Sequence, residues 1–125
     1  MSDKEIMLNK KIWAVAGANT NPEKFGNKIY CRLKARGYQV YGVNPVYDEI
    51  NGDPCYKDLS SLPVVPEVVD IVVSPARAIP IIKEAAKLGI PYIWLQPDTY
   101  NDEVLKEIKE LGLIAVKDCV LVALP

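Results

Sequence analysis

One pattern constrains this chain more than any other. Three times an amphipathic helical stretch ends at a glycine, and a short β-rich run follows at once. The first predicted helix runs from about Phe25 to Arg36, with Phe25, Ile29 and Leu33 on one face. Gly37 then leads into Tyr38-Gln39-Val40-Tyr41-Gly42-Val43. The second runs from about Ala78 to Leu88, with Ile81, Ile82, Ala85 and Leu88 as its stripe. Gly89 follows, then Tyr92-Ile93-Trp94-Leu95. The third runs from Asn101 to Leu111 on Val104, Leu105, Ile108 and Leu111, and Gly112 precedes Leu113-Ile114-Ala115-Val116. The physics is local. Glycine accepts the left-handed conformation that closes a helix without a Cβ penalty. Asn101 is a good N-cap, with Asp102 and Glu103 set against the helix dipole. Pro80 suits a first helical turn, where a missing N–H is tolerated.

Two further apolar runs, Ile12 to Ala16 and Val68 to Val73, complete five strands. Several strands are continuously apolar rather than alternating, as strands buried on both faces are. Between Asn44 and Val68 the pattern weakens to a short crossover. Asn51-Gly52 marks a tight turn there, and Asp58 to Pro63 has room for one helical turn. The expectation is one Rossmann-like, doubly wound α/β domain over residues 1–125. Its five-stranded, mainly parallel sheet would be ordered 3-2-1-4-5 with helices on both faces.

Composition narrows the function. The chain has 125 residues, half of them hydrophobic, with 15 basic against 16 acidic side chains. No long basic run recommends DNA, RNA or an anionic membrane. The polar start, Met1 to Glu5, leads into no long apolar segment, so neither a signal peptide nor a membrane span is expected. The expectation is a soluble cytoplasmic protein. There is no histidine, which removes His-based acid–base chemistry and most transition-metal sites. The three cysteines, Cys31, Cys55 and Cys119, lack the paired spacing of a disulfide framework or zinc site. They read as reduced thiols, and no metal site or catalytic residue is assigned.

In such sheets, ligands bind beyond the carboxyl ends of the strands, at the switch point, here expected between the first strand and Val68–Val73. The loops that meet there are Gly17 to Gly26, Asn44 to Tyr47, Ser74 to Arg77, Gln96 to Tyr100 and Lys117 to Cys119. The first runs Gly17-Ala18-Asn19-Thr20-Asn21-Pro22-Glu23-Lys24-Phe25-Gly26 and joins a buried strand to a helix N-terminus. Free N–H groups and the helix dipole make that end an anion site. Gly17 and Gly26 permit close backbone approach, and Lys24 adds a positive charge. The loop therefore reads as a phosphate cradle. It is neither G-x-G-x-x-G nor a Walker A loop. An NAD-type site expects an acid at the end of the second strand, where this chain has Val43-Asn44-Pro45. A phospho-acceptor receiver is disfavoured because Asp70 falls near the amino end of its strand. Gln96 leaves the fourth strand at the edge of the site, as a candidate ligand contact. Trp13 and Trp94 read as core, and Cys119 as a buried, inert thiol.

The combination resembles the small stand-alone CoA-binding proteins, related to the CoA-binding domain of the succinyl-CoA synthetase alpha subunit. The residues that carry it are Val15-Ala16-Gly17-Ala18-Asn19 with Pro22 and Lys24, Val43-Asn44-Pro45 with Tyr47, and Ile50-Asn51-Gly52 with Cys55-Tyr56. Val72-Val73-Ser74-Pro75, Trp94-Leu95-Gln96 and Asp118-Cys119 extend it from about Ile12 to Val122. The resemblance implies coenzyme A as cofactor. It implies that Gly17, Ala18, Asn19 and Lys24 wrap the diphosphate, that Asn44-Pro45 lies beside the nucleotide, and that Ser74-Pro75 lines the adenine side. Relatives often place lysine where this chain has Val46, and a small hydroxyl residue where it has Gly26. The expected function is non-catalytic binding of CoA or an acyl-CoA, with a protein partner conceivable and unidentified. The alternative is an NAD(P)-binding redox or sensor protein on the same fold.

Overall fold

The computed structural model describes residues 1–125. In chain order the elements are α1 (Asp3–Leu8), β1 (Ile12–Ala16), α2 (Phe25–Ala35), β2 (Gln39–Val43), β3 (Glu49–Ile50) and β4 (Asp53–Tyr56). After a 3-10 turn at Leu59–Ser61 come β5 (Val68–Ile71), α3 (Pro75–Lys87), β6 (Tyr92–Leu95), α4 (Asp102–Glu110), β7 (Ile114–Lys117) and α5 (Val120–Ala123). The strands form one seven-stranded sheet, ordered β3-β4-β2-β1-β5-β6-β7. Every neighbouring pair is parallel except β3 with β4. The α/β alternation is thus Rossmann-like, but the strand count and the order both differ from expectation.

Both differences arise in the segment read as a bare crossover. Asn51 and Gly52 have φ of 53° and 87°, the geometry of a two-residue hairpin turn. They connect β3 to β4, and β4 then pairs with β2 in parallel through Gly42–Cys55 and Val43–Tyr56. Pro54 in β4 obscured the strand; it is tolerated there because the pairing of β4 with β2 begins only at Cys55, so no ladder bond to β2 needs its missing N–H. With the place outside β2 taken, Val68–Ile71 lies directly against β1, in register from Trp13–Val68 to Ala16–Ile71. Counting only the five expected strands, the order is 2-1-3-4-5 rather than 3-2-1-4-5.

The central strands β1, β5 and β6 are buried on both faces, as their apolar pattern requires, whereas β7, at the sheet edge, stays partly exposed with Ile114 37% exposed. Ala14, Ala16, Val69, Ile71, Ile93 and Leu95 pack with Ala78, Ile82 and Ala85 of α3 and with Val104 and Ile108 of α4. Trp13, Val15, Val68 and Trp94 point the other way, to Met7 of α1, Ile29, Tyr30 and Leu33 of α2, and Val120 of α5. Both tryptophans are fully buried, their rings 5.4 Å apart. Their indole N–H groups donate to the Lys10 and Asp118 carbonyls at 3.2 and 2.9 Å.

The helices sit close to where the pattern puts them. Asn101 caps α4 by accepting from the Val104 N–H at 2.9 Å. α3 starts earlier than Ala78: Ser74 is the N-cap and Pro75 the first helical residue, which leaves Pro80 inside the helix. Ser74 to Arg77 is therefore the first turn of α3, not a loop. Phe25 departs from its expected stripe. Ile29 and Leu33 are buried, but Phe25 stands 63% exposed beyond the sheet edge. No helix is long and apolar enough to cross a membrane.

Candidate functional site

The parallel strands all deliver their following loops to one edge, and two cavities open there. The smaller, of about 290 Å³, lies between Asn44-Pro45 after β2, Lys57-Asp58 after β4, and Arg77, Pro80, Ile81 and Glu84 of α3. The larger, of about 520 Å³, lies between Asn19, Lys24, Phe25 and Gly26 on one side and Gln96 to Thr99 with Cys119 on the other. Gly17 and Val73 border both. The cavities are thus two lobes of one cleft at the β1/β5 switch point, in the several-hundred-Å³ range typical of small-molecule sites.

The loop at the junction is held rigid through its acceptors. Gly17 donates to the Val43 carbonyl at 2.9 Å. Ala18 O accepts from Asn44 Nδ2 at 2.9 Å, and Asn19 O from Asn27 Nδ2 at 2.8 Å. Asn27 Nδ2 also reaches Asn51 Oδ1 at 3.2 Å, which ties the loop to the hairpin turn. Within the loop, Asn19 Oδ1 accepts from Asn21 N at 2.8 Å and Asn21 Oδ1 from Glu23 N at 2.9 Å. These bonds leave the backbone N–H groups of Ala18, Asn19 and Thr20 without an acceptor in the chain, as are the first two of α2, on Phe25 and Gly26. The first turn of α2 contains no acid, and Lys24 at its N-cap joins no ion pair. Unpaired amides, a helix N-terminus and a cation converge here, the chemistry that favours an anion.

Two glycines make this arrangement feasible. Gly17 has φ of +108°, and a Cβ there would meet the Val72 carbonyl oxygen at 2.6 Å. A Cβ on Gly26 would lie 2.1 Å from the Gly17 carbonyl oxygen and 3.1 Å from Asn19 N. A small hydroxyl residue at position 26, which the resemblance leads one to expect, would not fit this loop as it is folded. Gly26 lets α2 start against the loop itself.

The sequence-derived candidates divide between the lobes. Asn44 and Pro45 line the smaller lobe, and Asn19, Lys24, Phe25, Gly26, Ser74 and Gln96 the larger, with Gly17 common to both. Ser74 therefore lies in the other lobe from Asn44-Pro45. Ala18, Tyr47 and Pro75 line neither. Ala18 is fully buried, its methyl group 3.1 Å from where a Cβ on Gly42 would lie. Tyr47 packs against the α2-side core, and Pro75 starts α3. Asn44 is only 8% exposed and its side chain is engaged at both ends, donating to Ala18 O and accepting from Val46 N at 2.9 Å. It fastens two site loops to each other. Gln96 is 3% exposed. Its Oε1 accepts from the Val120 N–H at 3.1 Å, which leaves its amide N–H₂ unpaired beside the larger lobe.

Lys57 and Asp58 line the cleft although they lie in none of the loops assigned to it from the sequence, while Arg77, Pro97, Asp98 and Thr99 line it from assigned loops without having been named as contacts. Asp98, at φ of 69°, turns the chain at the rim. Lys57 was hidden with β4. Recognising the hairpin at Asn51-Gly52 would have put it at the same edge as the other loops. Cys119 borders the larger lobe as the half-buried N-cap of α5. Burial pushes the Cys55 thiol up, opposite to what a nucleophile needs.

Asp70 is the outlier among charged residues. β5 ends at Ile71, so Asp70 is next to last in its strand, not near its amino end. It lines neither lobe of the cleft. It is 0% exposed on the α2 side of the sheet, between Val15 and Trp94, and neither oxygen has a partner. Desolvation raises its pKa well above the usual carboxylate range.

Fold and cleft together define a Rossmann-like α/β protein with a loop of free N–H donors at the switch point of its sheet. The chain belongs to the CoA binding domain family, whose model matches residues 11–125. A Bacillus subtilis relative, the uncharacterized protein YneT, is 31% identical over 124 residues, covering 96% of this chain and 90% of its own length. A solved structure of a hypothetical protein from Pyrococcus horikoshii OT3 superposes with a TM-score of 0.89 at 36% identity, over 98% of this chain and 89% of that one. An ADP-forming acetate–CoA ligase from Archaeoglobus fulgidus is 42% identical over 78 residues. That match covers 61% of this chain but only 11% of the ligase.

Proposed function

We propose that the cleft binds coenzyme A or an acyl-CoA and that the chain acts as a binding module rather than a catalyst. The observation that carries this reading is the junction loop. The Ala18 and Asn19 carbonyls and the Asn19 and Asn21 side-chain oxygens are engaged internally, while the N–H groups of Ala18, Asn19, Thr20, Phe25 and Gly26 are free, at a helix N-terminus with Lys24 alongside. That is a diphosphate site in chemical terms. The two lobes on either side suit a ligand with a diphosphate in its middle and a different group on each arm. The smaller lobe carries the extra cations, Lys57 and Arg77, and takes the phosphorylated adenosine. The larger is bordered by Phe25, Pro97 and the free amide of Gln96, and takes the uncharged, amide-containing pantetheine arm. The second strand ends in Val43-Asn44 with the Asn44 side chain already engaged, so the ribose-binding acid of an NAD site has no counterpart there.

Amide hydrogen exchange with and without CoA tests the placement. Protection is expected at Ala18, Asn19, Thr20, Phe25 and Gly26, whose N–H groups gain acceptors. Protection confined to other segments would place the ligand elsewhere and overturn the reading.

A further inference from the structure

The smaller lobe contains four charged side chains, and their pairing is lopsided. Glu84 uses both carboxylate oxygens to hold the 3-10 turn. Oε1 accepts from Leu59 N at 3.0 Å, and Oε2 from Ser60 N and Oγ at 3.3 and 2.8 Å. Asp58 turns Oδ1 back to Ser61 N and Oγ at 2.9 and 2.6 Å. Lys57 and Arg77, on the same lobe, join neither acid in an ion pair and donate no side-chain hydrogen bond. Val46, which follows Pro45 in the chain, is 74% exposed and does not line the lobe. The lobe therefore holds two cations whose donors are unspent, next to acids whose oxygens are largely committed to shaping the turn.

We infer that Lys57 and Arg77 form a phosphomonoester subsite, which recognises the phosphate on the ribose of the bound nucleotide and makes the chain discriminate for it. This rests on the proposal that the cleft takes CoA, and it assigns the recognition of one substituent to two named residues. The two cations come from separate elements. Lys57 follows β4, and Arg77 lies in the first turn of α3. A phosphate between them would be held from two directions. The Arg77 guanidinium can present two parallel N–H donors, and Lys57 supplies a mobile point charge. Both side chains are exposed when the lobe is empty, so screening limits the gain to about tenfold in affinity.

The experiment is calorimetry on the full chain at low salt, with CoA and dephospho-CoA as paired ligands, for wild type and for the double variant Lys57→Gln, Arg77→Gln. Both substitutions are at exposed positions, and circular dichroism checks the fold. The wild type is expected to bind CoA about tenfold more tightly than dephospho-CoA, and the double variant to bring that ratio close to one. A wild-type ratio near one overturns the subsite while leaving CoA binding intact. A ratio unchanged by the double substitution moves the phosphate to other residues and overturns it equally. Failure of the wild type to bind either ligand removes the CoA reading itself, and the subsite with it.

Discussion

Asp70 is the residue whose chemistry is least like its surroundings. An ionised carboxylate with no partner in the core is costly, and the native state avoids it by keeping the proton. The sign of the consequence is fixed by linkage. Above the ordinary carboxylate range the unfolded chain releases this proton while the native one retains it. Stability therefore falls as pH rises, by about 1.4 kcal/mol per unit, until the raised native pKa is reached. With no histidine in the chain, little else titrates between pH 5 and 8. Asp70→Asn keeps the shape of the neutral acid and removes the titration. Urea unfolding at pH 5, 6, 7 and 8 is expected to show a downward slope for the wild type that the variant lacks. Parallel pH profiles for the two proteins would mean that Asp70 is solvated or paired. The lowered pKa values of Asp118 and Asp53 act in a different window. Hydrogen bonds from Lys4 and Lys34 respectively are the leading cause, and that contribution is lost only on acidification below about pH 4.

At the scale of elements, the site is a set of loops fastened together by asparagines. Asn44, Asn19 and Asn27 connect the end of β2, the junction loop and α2. Asn44→Ala leaves the buried Ala18 carbonyl without its donor. It is expected to destabilise the protein by about 1–3 kcal/mol in denaturant unfolding. It should also weaken CoA binding, because the loop loses its preset shape. Full stability with weakened binding would instead make Asn44 a direct ligand contact.

Legibility also divides at this scale. The helix–glycine–strand units were readable because 3.6-residue periodicity and a glycine stop are both local. So was the junction loop, which needs only a buried strand, two glycines and a helix start. β3 and β4 were not. They are two and four residues long, one contains proline, and their stability comes from pairing with each other and with β2 rather than from any internal pattern. Missing β4 led to the misplaced third strand and hid Lys57. Phe25 misled for the opposite reason. Its spacing fits the apolar stripe, but the helix begins beyond the sheet edge, where there is no core to meet. Gly26 could be seen as permissive, but not as required. That requirement depends on a 2.1 Å approach across the loop.

At the scale of the whole molecule, the sheet order decides where a ligand can sit. Crossovers diverge to opposite faces on either side of the β1/β5 boundary, and the crevice they leave is the cleft. The two lobes meet over Gly17, so one ligand spanning both must pass a bulky anionic centre across the junction. Coenzyme A has that layout, and so in outline does NAD. They differ in what the arms carry. The measurement that separates them is calorimetric titration of the wild-type chain with CoA and with NAD under the same buffer and salt. One CoA per chain, bound more tightly than NAD, is the result expected from the free cations of the smaller lobe and the missing ribose acid after β2. Tighter binding of NAD, or no heat with CoA, would contradict it.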